Sequence, residues 1–168
     1  MKTKIIFIDG PDVSGKTTLI KNELNKYKNL KELNFDKGLT GLLRINTQTH
    51  FEILKVLLPN LNPKYTYIVD RCYFSNIVYD KVLRDEDADP SYEFRHWCLK
   101  NLNILEIILD REYVNYDFND NLISIDKNTF NKIIDEYRNL TVKHKYNILN
   151  SDQFNYKKVQ GLIKEFVA

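Results

Sequence analysis

The chain has 168 residues, 43% of them hydrophobic and 29% charged, an ordinary globular balance that can bury a core without disulfide or metal staples. Its net charge of +2 argues against a polycationic nucleic-acid coat protein and says nothing about a local basic cleft. The N-terminal apolar run Ile5-Ile6-Phe7-Ile8 is too short for a signal-peptide core or a membrane span, and no other stretch approaches membrane length, so a soluble, cytoplasmic protein is expected. Cys72 and Cys98 read as reduced thiols, since a disulfide framework needs more cysteines and a secretory setting.

Taken in order, short apolar runs alternate with amphipathic stretches, the pattern of an α/β protein with a parallel sheet. Ile5 to Asp9 is a buried strand that ends in a glycine turn. Thr17 to Tyr27 is a helix, with Leu19, Ile20, Leu24 and Tyr27 on one face. Lys31 to Phe35 is a short second strand. Phe51, Leu54 and Leu58 mark a helix closed by Pro59 and Pro63. Tyr65 to Asp70 is a third strand, rich in β-branched and aromatic residues. Ser75 to Arg84 is a helix with Ile77, Val78 and Leu83 inward, and Asp85 to Pro90 is a solvated acidic turn. A helix from Tyr92 to Lys100 precedes a fourth strand, Ile104 to Asp110. Asn128 to Leu140 is a helix with Phe130, Ile133, Ile134 and Tyr137 on its core stripe. Tyr146 to Leu149 is the fifth strand, and the closing helix carries Val159, Leu162, Ile163 and Phe166.

Gly10-Pro11-Asp12-Val13-Ser14-Gly15-Lys16-Thr17 fits the pattern G-x-x-x-x-G-K-T, and it lies between a predicted strand and a predicted helix, as that loop requires. Gly10 and Gly15 permit the turn that aims backbone N–H groups inward as an anion nest, reinforced by the helix N-terminus. Lys16 supplies a cation for the β- and γ-phosphates, and Thr17 a hydroxyl for magnesium. The expected ligand is a purine nucleoside triphosphate with Mg2+, held by Gly10 through Thr17 together with Thr18. Asp70-Arg71 falls at the C-terminal end of the third strand, where open parallel sheets bind ligands. An acid there can order magnesium-bound water or take the acceptor's proton, and the arginine can fork onto a phosphate. Read alone, the two are also compatible with a surface ion pair. His50, His96 and His144 show no metal-ligand spacing.

The run from Asp70 to Tyr79 resembles the thymidylate kinase signature D-R-Y-x-x-S-x-x-A-Y. Asp70, Arg71, Ser75 and Tyr79 match, while Cys72 replaces the tyrosine and Val78 the alanine. Arg84 matches an arginine that often follows, and Asp12 matches a position where aspartate faces the sugar 3′-hydroxyl. The deoxynucleoside kinases carry a similar E-R-S-x-x-S, so the likeness is to the wider group. The resemblance implies a P-loop, nucleotide kinase-like fold: a five-stranded parallel sheet with helices on both faces, in one domain over residues 1–168 with a short lid near 111–126. It also implies a homodimer. The acceptor would lie against Asp12, Arg71, Ser75 and Tyr79, with Asp80, which stands where the group often has glutamine, facing the base or pairing with Arg84. Lys16, Asp12, Asp70 and Arg71 would serve catalysis, and Thr17 and Asp70 the metal, Asp70 through water.

The chain departs from the pattern where Val13 leaves the P-loop without an arginine, and the "R-E-P-G" segment after the second strand is absent, with Lys37-Gly38 a stand-in. Arg111, the one arginine in the lid segment, is therefore expected to reach the transferring phosphate on closure. The activity implied is ATP-dependent phosphorylation of a deoxynucleoside monophosphate, with Arg71 or Arg44 as phosphate clamps. The alternatives are a deoxynucleoside kinase, a kinase of a modified nucleotide or nucleic acid, and a regulatory nucleotide-binding module.

Overall fold

The computed structural model describes residues 2–34, 47–85, 88–119, 124–144, 148–150 and 153–168. Phe35, Lys37-Gly38, Arg44, Glu86-Asp87 and Tyr146, which entered the sequence reading, lie outside them.

Strand parity sorts the core into two layers. In β1 (Lys4–Asp9), Ile5 and Phe7 point to one face and Ile6 and Ile8 to the other, none more than 2% exposed. A strand buried on both faces is continuously apolar, and this one is central: β2 (Leu30–Leu33), β3 (Thr66–Asp70), β1, β4 (Asn103–Asp110) and β7 (Ile148–Asn150) form one parallel sheet in that spatial order. The layer on the Ile6–Ile8 face is α1 (Lys16–Lys26) and α6 (Gln153–Val167), which contribute Leu19, Ile20, Val159, Ile163 and Val167. The opposite layer is α2 (Thr47–Leu57), α3 (Tyr73–Tyr79), α4 (Asp89–Asn101) and α5 (Lys127–His144). Its centre is aromatic, with Phe51 stacked on Phe94 at 4.3 Å and Tyr73 edge-on to Phe7 at 5.1 Å. Beneath them Glu106 of β4 accepts both Nε and Nη2 of Arg95 at 2.9 Å, and Tyr73 donates to it at 2.5 Å, so this nearly buried charge is paired.

Three expectations are corrected. The helix read as Ser75 to Arg84 starts earlier, at Tyr73, and its last turn, Asp80–Arg84, is a π-turn. The wider turn carries Val82 toward the core and leaves Leu83 40% exposed, the reverse of the inward placement expected for Leu83. Asp89 and Pro90 belong to α4 rather than to a surface turn, because proline lacks only an N–H that the first helical turn cannot use. Within the segment read as a lid, β5 (Phe118–Asn119) and β6 (Ser124–Ile125) pair antiparallel. Among the described residues no helix is long and apolar enough to cross a membrane.

Candidate active site

β1 hands the chain directly to the glycine loop. Gly10 sits at φ 141°, and a Cβ there would stand 2.3 Å from the Leu109 carbonyl oxygen of β4, so only glycine lets the loop pass the sheet edge. Gly15, at φ 86°, caps α1 with no side-chain partner, which leaves the first helical N–H groups for an anion. Thr17 and Thr18 are exposed on that first turn, and Val13 is 72% exposed at the loop tip. Lys16 is 6% exposed, and its ammonium donates to the carbonyls of Gly10 at 3.0 Å and Pro11 at 2.6 Å and to Ser14 Oγ at 3.3 Å. Burial, reinforced by the neighbouring Arg71 charge, lowers its pKa from 10.5 to about 8, against the pull of Asp9, Asp70 and Asp12.

Asp9 organises the site, and the sequence reading missed it. On β1 it shares the parity of Ile5 and Phe7, so its carboxylate enters the layer of α3 and α5 and is 1% exposed. Oδ1 accepts from Gly10 N at 2.8 Å, Ser75 Oγ at 2.6 Å and Tyr137 Oη at 2.7 Å; Oδ2 accepts from Cys72 N at 3.1 Å and Ser75 N at 3.0 Å. One buried carboxylate thus ties the P-loop, the start of α3 and the middle of α5 together. A lone acid ending an apolar strand just before the first P-loop glycine was the available signal. Tyr137 gave none, because its ring also completes the core stripe of α5 and only the fold shows where its hydroxyl lands.

Arg71 follows Asp70 at φ 65°, a left-handed conformation that costs a non-glycine residue about 1–2 kcal/mol. Its N–H bonds the Ile8 carbonyl at 2.8 Å. Nη1 donates to the Gly10 carbonyl and to Ser75 Oγ, each at 3.1 Å, and Nη2 is paired with Asp12. The other Asp12 oxygen accepts the Tyr79 hydroxyl at 2.6 Å, and Arg71 lies 5.5 Å from the Tyr79 ring. Burial raises the Tyr79 pKa, so the phenol stays a donor. Asp12, Arg71, Ser75 and Tyr79 therefore meet around the P-loop.

Arg111 reaches the same loop from β4: its Nη1 donates to the Asp12 carbonyl at 2.9 Å. Asp70 is exposed at the end of β3, level with Ile8 in the β1–β3 register. Asp80 is not gathered into the cluster by any of these contacts; its carboxylate is 3% exposed and paired with Arg84, one turn along. Magnesium takes hard oxygen ligands and keeps several waters, so the Thr17 hydroxyl and the Asp70 carboxylate fit it as a partial donor set completed by phosphates. Among the described residues no group of three or more His, Cys, Asp or Glu could cage a metal by itself.

No protein-family model matches the chain, and no curated protein matches it. Solved structures do. Thymidylate kinase from Ehrlichia chaffeensis is similar over 97% of this chain and 100% of its own, with a TM-score of 0.60 at 15% identity. Thymidylate kinase from Candida albicans covers 98% and 92%, with a TM-score of 0.61 at 14% identity. The YorR protein of Bacillus subtilis, solved in complex with phosphorylated GDP, covers 96% of each chain, with a TM-score of 0.59 at 18% identity. End-to-end likeness at such low identity speaks for architecture, and the chain has the P-loop fold of the thymidylate kinases.

Proposed function

We propose that the protein is an ATP-dependent deoxynucleoside monophosphate kinase, transferring the γ-phosphoryl group to an acceptor 5′-phosphate. One observation carries this reading: Arg71, a forked cation, bonds the carbonyl of Gly10, so a second anion-capable group stands against the phosphate cradle. In-line phosphoryl transfer needs little covalent chemistry and much positioning of charge, and the site offers that. The Gly10–Gly15 backbone and Lys16 would hold the donor phosphates, with Lys16 exchanging its carbonyl partners for phosphate oxygens. Arg71, Ser75 and Tyr79 would orient the acceptor, and Asp12 its sugar hydroxyl. Thr17 and Asp70, the latter through water, would hold a magnesium ion, which neutralises phosphate charge when bound. Arg111 would steady the transferring group from the β4 side.

One observation favours a second reading, a deoxynucleoside kinase. Arg71 is already engaged by Asp12, Ser75 and Gly10, an arrangement that also suits a neutral hydroxyl acceptor. ATP with magnesium, offered a panel of deoxynucleosides and their monophosphates including dGMP, separates the two by ADP release. Transfer to monophosphates supports the first reading, transfer to nucleosides alone supports the second, and neither rejects both. Lys16→Ala should lower whichever activity appears by roughly a hundredfold, the scale of losing one fixed electrostatic group.

The reading entails a cytoplasmic setting, where ATP is available, in keeping with two free thiols. It also extends to a homodimer. Ile53, Val56 and Leu57 on α2 and Leu99 on α4 are 40–70% exposed on packed neighbouring helices, an apolar surface that a second copy would cover. Sedimentation of the wild type beside Val56→Lys tests it.

A further inference from the structure

The segment after β4 was expected to close over the donor as a lid. Its described part is instead stitched to α5. Arg138 donates Nε to both oxygens of Asp110, at 3.0 and 3.1 Å, and Nη2 to the carbonyl of Arg111 at 2.8 Å. Its guanidinium also lies 4.6 Å from the Tyr113 ring, whose hydroxyl donates to Asp135. Asn131 then binds the backbone of Val114 twice, accepting its N–H at 2.8 Å and donating to its carbonyl at 3.0 Å. Val114 and Phe118 are buried, 6% and 8% exposed, so lifting the segment would bring apolar core into water.

The other side of the same segment touches the P-loop. Arg111 donates to the Asp12 carbonyl, to the Glu112 carbonyl at 3.3 Å and to Tyr116 Oη at 3.5 Å, and its guanidinium lies 5.4 Å from the Phe130 ring of α5. A guanidinium has five N–H groups, and these contacts use three. Three of these contacts come from the P-loop and the segment itself and the fourth from Phe130 of α5, while Arg138 and Asn131 of α5 fix the backbone at Arg111 and Val114.

Resting on the phosphotransfer reading, we propose that residues 110–118 form a fixed strap rather than a closing lid. Arg138 and Asn131 are positioning residues that set Arg111 over the P-loop before nucleotide arrives. A preset cation avoids reorganisation during the reaction, which is the source of electrostatic advantage in such sites. It also removes the closure step that would otherwise limit turnover.

The test is a mutant cycle on the full chain, using ATP and the best acceptor from the panel. Arg111→Ala, Arg138→Ala and Asn131→Ala should each lower kcat while the acceptor KM changes little. Arg111→Ala/Arg138→Ala should be no slower than Arg111→Ala, within about twofold, because both changes remove the same cation from its place. Arg138→Lys should recover only part of the loss, since a lysine cannot fork. Losses that multiply in the double variant would overturn the positioning role. Asn131→Ala removes one side chain from the strap surface and keeps the cycle readable if Arg138→Ala folds poorly. Independently, the Val114 amide should be protected from hydrogen exchange without nucleotide and stay equally protected when a non-hydrolysable ATP analogue is added. Exchange that is fast without nucleotide and slow with it would show a closing lid and refute the strap. An inactive wild type would sink the phosphotransfer reading, while the exchange measurement would still decide the strap.

Discussion

Replacing Asp9 by asparagine removes a charge and almost no volume, so its effect reports the charge and hydrogen bonding at the centre of the site rather than packing. The carboxylate accepts five hydrogen bonds and is 1% exposed. An amide has one acceptor atom and two donors. If its oxygen takes the place of Oδ2, it can still serve the N–H groups of Cys72 and Ser75. Its NH2 then faces three donors at the Oδ1 position. The Ser75 and Tyr137 hydroxyls can turn and accept, but the Gly10 N–H cannot. One buried N–H is therefore orphaned, at about 1–3 kcal/mol, and the surviving bonds fall from charge-assisted to neutral strength, about 1 kcal/mol each. The opposite amide orientation orphans two backbone N–H groups and is worse. Asp9→Asn should therefore destabilise the protein by about 3–5 kcal/mol, a large share of the stability of an ordinary domain. Urea denaturation followed by circular dichroism reads the loss as a lower midpoint at constant slope. Activity should fall further than the unfolded fraction explains, because Gly10 and Ser75 both lean on this carboxylate. A loss below about 1 kcal/mol would refute the accounting, since it lies under the cost of even one orphaned amide.

The pKa of Lys16, lowered to about 8, makes ATP affinity pH-dependent: above pH 8 the ammonium progressively loses its proton, so the dissociation constant should rise between pH 8 and 9.5. Calorimetric titration checks this, and a flat profile would show that Lys16 keeps its charge. The same shift contributes a gain in folding stability as pH rises from about 8 toward 10.5, because the unfolded chain holds the proton there and the folded one does not. Arg71→Ala should raise the KM of a monophosphate acceptor strongly, through loss of a charge-assisted fork, and an unchanged KM would turn the assignment toward the nucleoside acceptor. Asp80→Gln should leave the ratio of kcat/KM among dTMP, dCMP and dGMP unchanged and lower the melting temperature, because the carboxylate is engaged by Arg84. A shift toward dTMP would return Asp80 to the base.

Local patterns were sufficient for what depends on local physics. A continuous apolar run before G-x-x-x-x-G-K-T points to a buried strand feeding a phosphate loop, because that loop needs a strand before it and a helix after it. Alternating runs and amphipathic stretches likewise implied an α/β protein with a parallel sheet and gave its five strands, while the helices on both faces were what the resemblance implied. The approximate helix and strand positions followed from periodicity. The π-turn after Tyr79 did not, since it is one residue's departure from that periodicity and turns Val82 inward in place of Leu83. What only the tertiary structure decided are contacts between residues far apart in sequence. Asp9 and Tyr137 meet across 128 positions, and Arg111 and Asp12 across 99. Side-chain parity, sheet order and helix rotation together settle such meetings, and no short window of sequence holds all three. The sequence, through its resemblance, could therefore nominate Arg71 and Asp12 for the acceptor site, while the Asp9 carboxylate that joins Gly10, Ser75 and Tyr137 and the strap that holds Arg111 came from the way α5 packs across the ends of β1 and β4.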